Sequence, residues 1–259
     1  MPSPQPWPPM SLDFSEYLIV ITGVGRAGQV GEAIAQSFAQ RGATLALLDR
    51  EHDEVQARAA ELDALRGDGA RRDGARVTAH VADLADPGDA QRAAAEVLQA
   101  HRARHQDRVH AVVCVAGGFG MTGALDEADP AAWTKQFTIN LETAFATTRA
   151  FLPAVRAARG SFVYFGSMAA TPGGSPGGMA AYAAAKSGVL SLMRTVSVDE
   201  KPHGVRANAV APTAIRTTTN VAAMGDGASY VERESVADVV AFLASPLARN
   251  VTGQVLVLA

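Results

Sequence analysis

Residues Tyr17–Ala35 read YLIVITGVGRAGQVGEAIA, and this stretch decides the fold. Its first six residues are apolar, aromatic or β-branched and carry no charge. Such a short continuous run suits a strand buried on both faces. Glycines follow at 23, 25, 28 and 31, and Glu32-Ala33-Ile34-Ala35 then opens a helical pattern. Glycines between a strand and a helix permit a tight turn and let backbone approach a pyrophosphate lying at the helix N-terminus. A tight turn with no ligand explains the same glycines, so the loop has to be read with its surroundings.

Outward from that loop, two kinds of segment alternate. Tyr17–Thr22, Thr44–Leu48, Arg76–His80, Val109–Val115 and Ser161–Phe165 are short, apolar and rich in strand formers, and Gln254–Leu258 is a candidate last strand. Helical patterns run over Glu32–Gln40, Glu54–Leu65, Pro87–Arg102, Pro130 to about Ala158, Ala180–Glu200 and Ser235–Leu243. Asp86-Pro87 and Asp129-Pro130 are helix starts, an N-cap followed by proline at the first helical position. Alternation of this kind predicts an α/β domain, a doubly wound parallel sheet with helices on both faces and ligands at the C-terminal ends of the strands. The Pro-rich segment over residues 1–16 reads as a flexible arm, and residues 17–259 as one domain.

The second strand ends at Asp49. An acidic residue there accepts from both ribose hydroxyls and repels a 2′-phosphate, which favours NAD over NADP. Arg50 beside it and Arg26 in the loop are able to hold a phosphate, so NADP stays possible. Asp83 closes the third strand's neighbourhood, as an adenine contact or as a turn-stabilising carboxylate.

Tyr182 and Lys186 are four apart on a helix and share one face. A tyrosine near its ordinary pKa of about 10 is a poor base at neutral pH. A neighbouring ammonium favours the phenolate, and the phenol can then exchange a proton with an alcohol or ketone. Ser167, just past a strand, can hold the substrate oxygen or merely cap the chain there. Asn140, in an apolar helical stretch, can bend the helix and relay a proton, or lie on the surface.

Taken in order, the Thr22-Gly23…Gly31 loop, Asp49, Asp83, Ala116-Gly117, Asn140, Ser167, Tyr182-Ala-Ala-Ala-Lys186, Asn208-Ala-Val-Ala-Pro212 and Thr217 resemble the short-chain dehydrogenase/reductase family. The resemblance runs from Tyr17 to Leu258. It implies a single-domain Rossmann-like fold, a nicotinamide cofactor and an Asn140–Ser167–Tyr182–Lys186 tetrad that moves a proton while hydride passes between the cofactor and a secondary alcohol or ketone. The cofactor-binding set it implies is Gly23, Gly25, Gly28, Val30, Gly31, Asp49, Arg50, Asp83, Leu84, Ala116, Gly117, Tyr182, Lys186, Pro212, Thr213, Ile215 and Thr217. It also implies a homo-oligomer, tetramer or dimer, built through the helices at about 130–158 and 180–200. The chain departs from the family pattern in a glycine loop longer than TGxxxGxG, in Cys114-Val115 where Asn-Asn is usual, and in Pro212-Thr213 where Pro-Gly is usual. The runner-up reading is a non-catalytic protein that binds or senses a dinucleotide on the same fold.

Phe119, Met121, Met168, Met179 and Met224 are candidates for an apolar substrate pocket, though any one taken singly reads first as ordinary packing. Composition excludes other classes. Lys and Arg number 23 against 26 Asp and Glu, so the field is weak and neither nucleic acid nor an anionic membrane is an expected partner. Arg66, Arg71, Arg72 and Arg76 cluster, but Asp68 and Asp73 interrupt them. The single cysteine, Cys114, lies in an apolar run and reads as a buried thiol. His101 and His105 share a helix face flanked by arginines, which reads as a wet face and not as a metal site. No secretory pattern opens the chain, and a cytoplasmic location is the expectation.

Overall fold

The computed structural model describes residues 12–65 and 76–259. In chain order the elements are β1 (Leu18–Thr22), α1 (Val30–Gln40), β2 (Thr44–Asp49), α2 (His52–Leu65), β3 (Val77–Val81) and α3 (Pro87–His105). After β4 (Ala111–Cys114) come α4 (Pro130–Phe137), a π-helical turn (Thr138–Glu142), α5 (Thr143–Ala158), β5 (Ser161–Phe165) and α6 (Ala180–Asp199). The chain closes with β6 (Arg206–Pro212), α7 (Thr218–Met224), α8 (Arg233–Ala244) and β7 (Val255–Leu258). The strands form one parallel sheet in the order β3-β2-β1-β4-β5-β6-β7. Succession reverses between β1 and β4, and the crevice above that switch point is where such sheets take ligands.

The core explains why the strands are apolar throughout. Leu18, Val20, Ala46, Leu48, Val112, Cys114, Phe162 and Tyr164 face α3, α5 and α6. Their neighbours Ile19, Ile21, Leu45, Leu47, Ala111, Val113, Val163 and Phe165 face α1, α2 and α8. Successive strand residues point to opposite faces, so a sheet covered on both sides needs both sets apolar. The two Asp-Pro starts are real caps. The Asp86 carboxylate accepts from the N–H groups of Gly88 and Asp89 at 2.7 and 2.9 Å, and Asp129 accepts from Ala131 at 2.9 Å.

Three expectations change. The strand β6 was not foreseen, because Arg-Ala-Asn-Ala-Val-Ala-Pro holds one β-branched residue; burial between β5 and β7 overrides that weak propensity. The expected arm over 1–16 lies mostly outside the described residues, but Phe14 is fully buried, edge-on to Phe38 at 4.9 Å, so ordered packing begins before Tyr17. The wet face assigned to His101 and His105 is buried, with 4% and 3% exposure, because His101 hydrogen-bonds Thr78 of β3 at 2.8 Å and the His105 ring packs on that of His110, just before β4. Arg66, Arg71 and Arg72 fall outside the described residues.

Candidate active site

The site grows from the ends of six strands, β1 to β6. At the end of β1 the Thr22 hydroxyl accepts from the N–H groups of Val115 and Ala116 at 3.1 and 3.0 Å. One threonine thus braces the turn after β4, where Cys114-Val115 supplies no polar side chain. Of the glycines that follow, Gly31 packs helix on strand: a Cβ there would sit 2.3 Å from the Gly23 carbonyl oxygen. Gly28 has φ +73°, in the left-handed region, and a Cβ there would strike Thr218 Cγ2 at 2.2 Å. Its N–H donates to Glu32 at 2.6 Å. The Gly25 N–H donates to Asp49 at 2.8 Å.

Two of these contacts were not legible. The Glu32 carboxylate, behind the loop, also takes Arg58 at 2.9 Å and Arg233 at 3.3 Å and so anchors the loop to α2 and α8. Gln29, the residue before α1, makes no cap. It reaches Thr218 and Thr219 at 2.7 and 3.0 Å and clasps α7 onto the loop. The backbone repeats that clasp, with the Thr218 N–H donating to the Gly28 carbonyl at 3.0 Å.

A cleft of about 890 Å³ opens above the switch point. Asp49, Arg50, Asp83 and Leu84 line one end; Gly23, Val30 and Gly31 form its floor; Ala116, Gly117, Phe119 and Met121 line the other end. The cleft fits an extended anionic dinucleotide. The first N–H groups of α1 have no side-chain cap and open onto it, and a helix N-terminus in that state binds a pyrophosphate. Asp49 keeps unused lone pairs although its two oxygens accept from Gly25 and Glu51. The Asp83 carboxylate accepts from Ala85 at 3.0 Å, the turn-stabilising arrangement.

Ser167, Tyr182 and Lys186 lie beside this cleft, behind the Phe119 ring, which meets the Tyr182 ring edge-on at 5.2 Å. Ser167 lies near the Tyr182 phenol and favours its ionised form, and its Oγ accepts from the Ala169 N–H at 3.3 Å. Burial pushes the Tyr182 phenol above its ordinary pKa, and the Ser167 contact opposes that rise. Lys186 is 6% exposed, and its Nζ stands 5.9 Å from the Tyr182 ring centre. Burial lowers its ammonium to about 8. Asn140 is buried in the π-helical turn, where its amide clasps the Gly118 backbone: Oδ1 accepts from N–H at 3.1 Å and Nδ2 donates to C=O at 3.0 Å. Asn140 Oδ1 and Lys186 Nζ converge beside Gly117, where a Cβ would meet them at 2.6 and 3.4 Å.

The Pro212–Thr217 segment is fixed from both sides. The Thr213 N–H donates to Leu258, Ile215 bridges to Val231, and the Thr217 hydroxyl caps α7 by accepting from Asn220 at 3.1 Å. Of the apolar candidates, Phe119 and Met121 stand together at the cleft, Met121 against Gly178. Met168 and Met179 flank the Ser167 turn and the start of α6, while Met224 stands exposed at the far end of α7. Arg216 is committed to Glu232 at 2.9 Å and to the Tyr230 ring.

The comparisons now bear on this geometry. Residues 23–258 match the family model described as enoyl-(acyl carrier protein) reductase. This chain belongs to the short-chain dehydrogenase/reductase family. It is 30% identical over 251 residues to galactitol 2-dehydrogenase of Rhizobium johnstonii, covering 91% of each chain. It is 31% identical over 246 residues to trans-4-hydroxycyclohexanecarboxylate dehydrogenase of Sinomonas cyclohexanicum, covering 92% of this chain and 90% of the relative. A solved short-chain type dehydrogenase/reductase from Mycobacterium ulcerans superposes with a TM-score of 0.84 at 27% identity, over 95% of this chain and 89% of the other. The dehydrogenase names of these relatives go with an oxidoreductase of small alcohols or ketones that uses NAD or NADP.

Proposed function

We propose that the protein interconverts an apolar secondary alcohol and its ketone with NAD(H), using Tyr182 as general acid and base. The observation that carries this reading is the Tyr182 ring packed edge-on to Phe119 of the cleft wall, with Ser167 beside its phenol and the buried Lys186 one helical turn away, Nζ 5.9 Å from the ring centre. When bound, the nicotinamide supplies or takes the hydride. The rest falls to the chain. Ser167 holds the substrate oxygen, and Tyr182 takes the hydroxyl proton in oxidation or returns it in reduction. Lys186 favours the phenolate by its charge. Asp49 receives the adenosine ribose and so prefers NAD, while Arg26 and Arg50 at the same end leave NADP a weaker ligand. Pro212, Thr213, Ile215 and Thr217 border the nicotinamide, and Phe119, Met121, Met168 and Met179 give the substrate apolar walls.

The same reading places the protein in the cytoplasm as a homo-oligomer. Phe145 on α5 and Val198 on α6 are 50% and 69% exposed beside a groove of about 300 Å³ between those helices, the kind of apolar surface an identical subunit covers.

The test is reduction of NAD by a panel of secondary alcohols. Wild-type protein turns over apolar members, and Tyr182→Phe binds NADH as before but loses about 10²–10⁴-fold in rate. Full activity in Tyr182→Phe rejects the mechanism. NADH binding with no turnover of any alcohol, ketone or 2-enoyl thioester supports the dinucleotide-sensing alternative. Turnover of the thioester alone supports reduction of an activated C=C bond, the activity in the family model's description.

A further inference from the structure

Gln136 lies four residues before Asn140, one turn earlier on the same side of the helical stretch, and is 6% exposed. Its backbone carbonyl and its Oε1 both accept from Asn140 Nδ2, at 3.0 and 3.2 Å. The orientation of the Gln136 amide follows from its partner. Gly118 N–H donates to Asn140 Oδ1, so Asn140 must turn its NH₂ toward Gln136, and Gln136 must answer with oxygen. The Gln136 Nε2 therefore points the other way, toward Gly120, so closely that a Cβ on Gly120 would sit 2.4 Å from it. No hydrogen bond to Nε2 is made within the described residues, and both Gln136 and Gly120 line the large cleft. Nε2 is not enclosed: it is open to the cleft and free to donate to whatever the cleft holds.

We infer that Gln136 Nε2 is a substrate-recognition donor, hydrogen-bonding a second oxygen of the substrate, a hydroxyl or carbonyl near the carbon that is oxidised or reduced. Gly120 follows Phe119, the residue whose ring lies on Tyr182, and precedes Met121, so the donor lines the cleft beside the wall assigned to the substrate. The site then discriminates strongly. A donor fixed by Asn140 and open to the cleft gains a hydrogen bond from an oxygen-bearing substrate, and is left unpaired by one that displaces its water and lacks that oxygen, which is how sites of this kind reject isosteres. The inference rests on the alcohol–ketone reading above and adds that diols, hydroxyketones or 3-oxo compounds are preferred over simple secondary alcohols.

The experiment pairs two substrates of matched size, a secondary alcohol and the same alcohol with a neighbouring hydroxyl, and compares wild type with Gln136→Glu and Gln136→Met. The glutamate keeps an oxygen for Asn140 but, ionised, offers no N–H. The methionine removes both functions at nearly constant volume and serves if the glutamate variant fails to fold, as judged by circular dichroism. Wild type favours the oxygenated substrate, and in either variant that preference, as a ratio of kcat/KM, falls by at least about tenfold while the NADH Kd stays within about twofold. A ratio unchanged in a folded variant, or a loss carried by NADH affinity, overturns the inference while leaving the alcohol–ketone reading intact. Wild-type protein that binds NADH but turns over neither substrate defeats that reading, and this inference with it.

Discussion

Lys186 Nζ donates a hydrogen bond to the carbonyl oxygen of Phe165 at 2.9 Å. The bond ties the second turn of α6 to the end of β5, the strand that delivers Ser167 two residues later. The amine is thus aligned by backbone, whatever the cleft holds.

That alignment gives a pH signature. Burial lowers Lys186 to about 8, so its charge is present below that value and withdrawn as pH rises through it. Under the mechanism proposed above, support for the Tyr182 phenolate is withdrawn with it. The kcat/KM profile for alcohol oxidation, which reports groups of the free enzyme, contains an ionisation near pH 8. A profile with no break between about pH 7 and 9 contradicts the assignment.

Asp49 serves two partners. It anchors Gly25, and under the reading above it faces the adenosine ribose. Asp49→Ser removes the repulsion toward a 2′-phosphate and leaves Arg26 and Arg50 at that end of the cleft. The ratio of kcat/KM for NAD over NADP falls by about ten- to a hundredfold, in keeping with the roughly 1–3 kcal/mol that one charged or hydrogen-bonded contact is worth. An unchanged ratio assigns Asp49 to the loop alone.

The glycines separate by mutation. Gly31→Ala drives a methyl into backbone that cannot withdraw, and costs about 1–3 kcal/mol of stability in urea unfolding. Gly28→Ala strikes a side chain on the short helix α7, which can move away, at a position whose φ of +73° also strains any other residue. Proteolysis in the 213–232 segment accelerates in Gly28→Ala more than in Gly31→Ala. The reverse order contradicts the Gly28–Thr218 contact.

Burial lowers His101 to about 3, and His105 and His110 to about 4. Unfolded, all three bind protons below about 6.5. The unfolded chain therefore holds more protons through that window, and stability falls as pH drops from about 6.5 toward 4. His110 shows a direct reason, since its Nδ1 accepts the Leu18 N–H at 3.0 Å and protonation breaks that bond. Urea unfolding measured down this range shows the decline, and His101→Gln flattens it. An equal slope in the variant removes His101 from the account.

Much of this was readable from residue order. The runs at 17–22, 44–48 and 161–165 are apolar at every step because both faces are covered, and periodicity alone then marks a buried strand. Position along the sheet picked out the candidate site, since Asp49 ends a strand and Ala116 and Ser167 each follow one. What escaped depends on long-range contact. Ala-rich β6 is a strand only because β5 and β7 flank it. The loop glycines were read toward a ligand, yet Gly28 answers to Thr218, 190 residues away. His101 and His105 carry arginine neighbours, and sequence could not show that both histidines turn inward while Arg102 turns out. Gln136 had a local signal, its spacing of four from Asn140, but nothing in the pattern said that both side chains were buried.

Cys114 sits in β4, 5% exposed, with its thiol pushed by burial to about 12, and the chain has no other cysteine. The middle of the sheet therefore carries a built-in chemical tag that stays silent while β1 and β5 enclose it. Alkylation of that sulfur counts openings of the sheet one at a time, and slower labelling on adding NADH reads ligand binding even before any substrate is known.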